Sequence, residues 1–401
     1  MKSSPRSAAC APPALVSLAV ASFLCSPAHA IAQAATAPAR HASLKQEIAL
    51  AYDRGLGFLT RAQNPESGQW GDAEPVAITG LAAAAYLMQP GRAPDAPVSP
   101  NIERALRFLA ANAREDGGIY IQARANYNTA LALMALLLHP LPEIEEIMLQ
   151  ARRFLVSRQL DLDEPGQNDN PLDGGIGYGD DKGMHADLSN THFVLEALHH
   201  AEVLLADKGD TARNEPRLNF AAAIDFIQRC QNRPESNKSS WVSTDPKDAG
   251  GFVYGPGETR GEEVPQADGR VALRSYGSIS YAGLLSFIYA GLDRDDPRVS
   301  AAIDWLTKNY TLEENPGLGH QGRFYYFHTM AKALNAAGVD FLETEAGKAI
   351  DWRKELGEKL LDIQKADGSW VNDGSGRWME GDPVLTTGYI LLALARLHNS
   401  L

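Results

Sequence analysis

The sequence predicts an all-α protein: a double-layered α/α barrel built from about six degenerate helix-pair repeats. Three observations carry this. Paired apolar anchors recur along the chain at Phe58-Leu59, Phe108-Leu109, Phe154-Leu155, Phe226-Ile227, Trp305-Leu306 and Leu360-Leu361, with intervals of 46 to 79 residues between their first members. A glycine-rich loop with an aromatic follows most of them, and an apolar segment follows the loop. Charged amphipathic segments therefore alternate with segments that are apolar nearly all round, and such self-similarity signals a repeat architecture.

The charged segments, such as 144–160 and 350–364, keep one face in water. Gln63, Gln159, Gln231 and Gln364 each stand four residues after an anchor residue, which puts anchor and glutamine on one helix face near its C-terminal end. The loops read Gly68-Gln69-Trp70, Gly117-Gly118-Ile119-Tyr120, Gly174-Gly175-Ile176-Gly177-Tyr178, Gly250-Gly251-Phe252-Val253-Tyr254 and Gly368-Ser369-Trp370, and the fifth repeat offers only Gly317-Leu318-Gly319. Glycine there allows the left-handed turn that ends a helix. The apolar segments, 81–88, 130–138, 282–289 and 389–394 among them, are too short for a bilayer and so need neighbours on every side. Six outer helices around six inner ones satisfy both types. Residues 70–80 and 378–388 align without a gap, which fits a closed ring better than an open stack with special end caps.

With 37 Lys+Arg against 50 Asp+Glu, the net charge is −13 and no basic block occurs, which argues against a nucleic-acid binder. Lys2 and Arg6, the apolar run Ala14–Leu24 and Ala28-His29-Ala30 have the form of a secretory signal peptide over residues 1–30. That run is too short for a stable membrane anchor. Residues 31–43 read as a flexible lead-in and 44–401 as one domain. Removing the leader takes away Cys10 and Cys25 and leaves Cys230 alone, so no intrachain disulfide is expected in a secreted or periplasmic protein.

The aromatic or Leu, three residues, Gln, then Gly-x-Trp pattern is best formed over 360–370 and 59–70. It is similar to the Gln-Trp motif of squalene-type cyclases, and over residues 45–398 the chain resembles the squalene cyclase and protein prenyltransferase superfamily. The resemblance implies an α6/α6 toroid. Class II terpene cyclases protonate an alkene with the central acid of an Asp-x-Asp-Asp-Thr motif. The segment that resembles it is Asp187-Leu188-Ser189-Asn190-Thr191, and Ser189 cannot serve as a strong acid. Protein prenyltransferases hold zinc with a cysteine near an inner helix, and the matching stretch 250–281 has no thiol, so neither metal nor cofactor is expected.

In such a toroid the loops entering inner helices open onto the central cavity. His185, Asp187 and His192, near Ser189 and after Asp180-Asp181-Lys182, are the densest polar group and candidates for acid–base work. Helix capping by Asp187 and pairing of His192 with Glu196 are the structural alternative, and the stronger one because nearly every helix start needs a cap. Glu74 and Asp382 precede Pro75 and Pro383, where an acid caps a helix; ring closure also brings them together as paired carboxylates. Four aromatics in 323–328 cannot all face one helix side, so Tyr325, Tyr326 and His328 join Tyr178, Tyr254, Tyr276 and Tyr281 as candidate lining for an apolar or glycan ligand. The phosphate-loop, His-Glu-x-x-His and Gly-x-Ser-x-Gly signatures are missing. The expected function is cavity binding of a ligand or partner, with an isoprenoid enzyme and a carbohydrate-active enzyme as rivals.

Overall fold

The structure, a computed structural model, describes residues 41–179, 184–206, 208–344 and 347–401. The expected signal peptide, the lead-in up to residue 40 and Asp180-Asp181-Lys182 lie outside them. In chain order the helices are Ala42–Ala62 (α1), Pro75–Leu87 (α2), Pro100–Ala111 (α3), Ala125–Leu137 (α4), Glu145–Val156 (α5), Leu188–Ala201 (α6), the single turn Asp210–Arg213 (α7), Phe220–Arg229 (α8), Gly277–Tyr289 (α9), Pro297–Lys308 (α10), Arg323–Ala336 (α11), Trp352–Asp362 (α12) and Pro383–Ser400 (α13). Two short antiparallel hairpins join them, Glu263–Pro265 with Val271–Leu273 before α9 and Leu342–Glu343 with Ala349–Ile350 before α12. Because α1 begins at Ala42, residues 42 and 43 are helical rather than part of the lead-in.

Each inner helix packs on the next in the order α2, α4, α6, α9, α11, α13, and α13 returns to pack on α2. The ring is closed. The outer helices α1, α3, α5, α8, α10 and α12 flank it, each against an inner neighbour, giving the expected α6/α6 toroid. Burial follows the two helix types: α2 is covered almost throughout, whereas α3 buries only Ile102, Ala105, Leu106 and Leu109. No helix among the described residues is long and apolar enough to cross a membrane.

The glutamines hold consecutive outer helices together. Gln63 Nε2 donates to Gly68 O at 2.7 Å and to Asn101 O at 3.0 Å, at the start of α3. Gln159 and Gln231 repeat this, each bonding its own loop carbonyl and one at the start of the next outer helix, Asn219 O and Arg298 O. Gln364 closes the circle from α12 to α1, donating to Gly368 O and Ala51 O at 2.9 Å each. The loop glycines fit the same joint. Gly174 sits at φ +84° with the site of a Cβ only 1.9 Å from Ala222 O, and Gly368 at φ +92° with 2.3 Å to Arg54 O, so no other residue fits without moving a backbone.

A second device ties each loop to its inner helix. The backbone N–H groups of Trp70, Ile119, Ile176, Phe252 and Trp370 donate to the hydroxyls of Thr79, Thr129, Thr191, Ser280 and Thr387 at 2.8–3.0 Å. The indoles of Trp70 and Trp370 are buried and donate to Leu59 O and Leu360 O.

Gln364→Ala removes the bond to Gly368 O in its own loop and, across the ring's seam, the bonds to Ala51 O and from Arg54, and leaves two carbonyls without that partner, a loss of about 2 kcal/mol. The urea midpoint is expected to fall accordingly, and to fall further for Gly368→Ala, where the added methyl meets backbone. An unchanged midpoint for both would mean that the seam carries no stability.

Candidate functional site

The amino ends of all six inner helices surround one cavity of about 390 Å³ on the ring axis. Its wall is strongly aromatic: Tyr127, Tyr178, Phe193, Tyr254, Tyr276, Tyr325, Trp378 and Tyr389, with Ala77, Ile78, Ile279 and Leu385 between them. Ring contacts join five of these, Tyr178, Tyr127, Phe193, Tyr325 and Tyr389, with centroids 5.3 Å apart for Tyr127 and Phe193 and 6.0 Å for Tyr325 and Tyr389. Tyr325 is the aromatic of the 323–328 run that reaches the cavity, while Phe324, Tyr326 and Phe327 pack into the core.

Polar groups interrupt the wall. Glu74 stands at the start of α2 without capping it; Asn128 Oδ1 accepts from Ala77 N at 2.9 Å instead. The Glu74 carboxylate is held by Arg124 at 2.9 Å and by Asn128 Nδ2 at 3.1 Å. The Arg124 guanidinium lies 5.5 Å from the Tyr178 ring centre, and Arg260, paired with Glu258 at 2.8 Å, lies 4.1 Å from that of Tyr254. Two hydroxyl pairs at 3.2 Å, Tyr127 with Tyr389 and Ser189 with Tyr325, face the same space.

The polar group around Asp187 does not assemble as an acid–base site on this wall. Asp187 is buried and caps α6, accepting from Asn190 N and Asn190 Nδ2 at 2.8 Å each. His185 stacks on Tyr254 and lies 3.4 Å from Asp187 Oδ2, a bond that raises its pKa. His192 is fully buried, with Nδ1 2.6 Å from Ser189 O and 3.4 Å from the Tyr325 hydroxyl, and its Nε2 has no hydrogen-bond partner. Burial and the charge of Lys332 push its pKa down to about 3. Asp382 caps α13 through Val384 N at 2.8 Å and is not part of the wall, so it does not oppose Glu74 across the cavity. Tyr326 donates to Thr311 O at 2.9 Å and packs on Tyr281, both away from the cavity. His328 is buried, with Nδ1 3.2 Å from Tyr389 O. Of the residues singled out in the sequence, Glu74, Tyr178, Tyr254, Tyr276 and Tyr325 are brought together.

The wall also holds residues that the sequence did not single out. Glu380 is buried; its Oε1 accepts from Tyr325 N at 2.7 Å and its Oε2 from Asn372 Nδ2 at 2.6 Å. Burial raises its pKa to about 7. It follows Trp378 and Met379, two non-glycine residues in succession at φ +55° and +64°, a conformation that costs roughly 1–2 kcal/mol per residue and concentrates at functional sites. Tyr127 and Tyr389, at the third and seventh positions of α4 and α13, were concealed within apolar helices.

Elsewhere inside the ring is a buried charged cluster. Glu196 on α6 pairs with Lys332 on α11, and Arg396 on α13 approaches it at 3.7 Å. Burial works to raise the Glu196 carboxyl, but Lys332, Arg396 and His200 outweigh it and hold it at about 2. Among the described residues, no three His, Cys, Asp or Glu side chains gather as a metal site.

No protein-family model matches the chain, and no curated protein matches it in sequence. Solved structures do resemble it. A variant of the type II terpene cyclase MstE from Scytonema, in complex with its product merosterolic acid A, superposes with a TM-score of 0.52 at 14% identity, over 90% of this chain and 99% of that one. Another MstE variant, in complex with its substrate geranylgeranyl dihydroxybenzoate, gives 0.51 at 13% identity with the same coverage. The chain has the terpene-cyclase fold. At these identities the likeness is one of architecture.

Buried neutral histidines set the acid limit of this fold. His192 and His200 are pushed by burial to about 3 and 4, and His328 well below its usual value. Between about pH 6.5 and 3 the unfolded chain binds the extra protons, so stability is expected to fall as pH falls through that window. His192→Gln should flatten the slope of the urea midpoint against pH by about one proton; an unaltered slope would contradict the burial of a neutral imidazole.

Proposed function

We propose that the protein binds a small, mainly apolar ligand of isoprenoid type in the axial cavity, and that it does so after export, in the periplasm or outside the cell. The observation that carries the reading is the aromatic wall around about 390 Å³, near the lower end of the roughly 300–1,000 Å³ of ligand sites. Eight aromatic side chains offer large apolar area at low conformational cost. The MstE complex with a geranylgeranyl substrate supports the same ligand class, as fold analogy only. Export is supported by the leader-like residues 1–30.

Cyclisation by alkene protonation is the weaker reading. Ser189, where the resemblance would put the acid, is a hydroxyl bonded to Tyr325, and Asp187 is spent on its helix cap. A glycan is the second reading, favoured by the Tyr127–Tyr389 and Ser189–Tyr325 hydroxyl pairs and the two arginines on the wall.

Thermal unfolding with farnesol, geranylgeraniol and a neutral oligosaccharide tests this directly. A prenyl alcohol at 100 times its Kd should stabilise by about 2.7 kcal/mol and raise Tm, and Ala77→Phe, which fills the cavity, should abolish the shift. A shift with the oligosaccharide alone would favour the glycan reading. No shift with any of them, from a folded protein, would overturn cavity binding.

A further inference from the structure

The negative charge of the chain is gathered at one end of the ring. Six segments lead from an outer helix into an inner one: 63–74, 112–124, 157–187, 230–276, 309–322 and 363–382. Their described residues hold 24 Asp and Glu against 11 Lys and Arg, whereas all other described residues hold 22 of each. These segments enter the amino ends that surround the cavity. Each helix end there brings roughly half a positive charge, about three in all, and the acidic excess of the loops outweighs that several times over. A cleft edged by one sign of charge focuses the field and concentrates ligands of the opposite sign.

Inside the cavity one charge is left without a counter-charge. Arg124 is paired with Glu74 at 2.9 Å and Arg260 with Glu258 at 2.8 Å, so each guanidinium is met by a carboxylate. Glu380 is buried on the same wall, and among the described residues it has no ion-pair partner. Arg323, whose charge acts on it, spends a guanidinium N–H on Glu313 O. Glu380 is held as an acceptor, by Tyr325 N at 2.7 Å, Asn372 Nδ2 at 2.6 Å and Phe324 N, and such donors favour the carboxylate.

The surroundings of Glu380 suit a cation. Tyr325, whose N–H it accepts, and Tyr389, which feels its charge, lie with ring centres 6.0 Å apart on the wall. The hydroxyl pairs Ser189–Tyr325 and Tyr127–Tyr389 keep more lone pairs than hydrogens free. Carboxylate, aromatic faces and open lone pairs together match a group that is positive and donates hydrogens. Backbone strain is spent on this wall as well. Of the four non-glycine residues at positive φ among the described residues, Arg124, Trp378 and Met379 line the cavity, the last two directly before Glu380.

We propose that the cavity takes an apolar chain with a protonated amine at its head, and that Glu380 is the counter-ion of that head. The inference rests on the cavity-binding reading above and names the head group of the ligand. The acidic loops draw the ligand to the mouth, the aromatic wall takes its chain, and Glu380 with Tyr325 and Tyr389 takes the nitrogen. Glu380 acts as a binding residue, and no covalent bond is made or broken.

The test gives one chain three heads: farnesylamine, farnesol and farnesoic acid, titrated at pH 8. There an amine with a lysine-like pKa of about 10.4 is protonated, and Glu380, raised by burial to about 7, carries its charge. At about 50 mM salt the wild-type protein is expected to bind the amine about tenfold tighter than the alcohol, and the acid most weakly. Raising the salt to about 0.5 M should shrink that spread several-fold, because exposed loop charges are screened. The on-rate of the amine should fall with salt and that of the acid should rise. Glu380→Gln, nearly the same shape, should cut the amine-to-alcohol ratio about fivefold. An amine bound no tighter than the alcohol, or an acid bound tighter than both, would overturn the inference while farnesol binding keeps the cavity reading intact. A folded Glu380→Gln variant with the full ratio would overturn it too. The head-group series needs only the wild-type protein, so it decides even where the variant fails to fold. Binding of none of the three would overturn both readings.

Discussion

Closure of the inner ring, where α13 returns to α2, is the constraint on which the rest of the structure depends. An inner helix such as α2, buried on almost every side, has no stable alternative to being surrounded. The seam is also stitched outside, where Gln364 reaches from the end of α12 to Ala51 O in α1. Closure fixes direction as well as packing. Six parallel helices in a ring must gather their amino ends at one end of the axis, and the axis there is left open as the cavity. The Glu196–Lys332 pair and Arg396 instead meet inside the ring, where each charge has a partner.

The devices that make repeats were legible because they are local. An anchor, a glutamine four residues on and a Gly-x-aromatic loop occupy about a dozen residues, and their spacing alone places them on one helix end. Their purpose was less legible. Nothing in the sequence says that Gln159 donates to Asn219 O at the start of a helix sixty residues away, or that Thr191 takes the N–H of Ile176. The first depends on how neighbouring repeats stack, and the second on how a loop folds back onto its own inner helix.

The site was read only in part for the same reason. Tyr178, Tyr254, Tyr276 and Tyr325 could be named because they sit at predicted helix entrances. Tyr127 and Tyr389 fell inside helices that looked uniformly apolar, and their place on the wall depends on helix rotation within the closed ring. Glu380 was concealed by its neighbour. The acid beside a proline, Asp382, has the stronger local signature and proves to be the cap, while Glu380 two residues earlier is turned to the wall by the left-handed pair before it. Asp187 shows the converse: a motif-like setting whose carboxylate is consumed by its own helix.

The account as a whole stands on the axial cavity being a ligand site rather than a packing void. A crystal structure of the protein soaked with geranylgeraniol tests that claim most directly. The account predicts density along the aromatic wall, with the chain between Tyr127, Phe193 and Tyr325. An empty or collapsed cavity, with the ligand bound only on the outer helices, would contradict it.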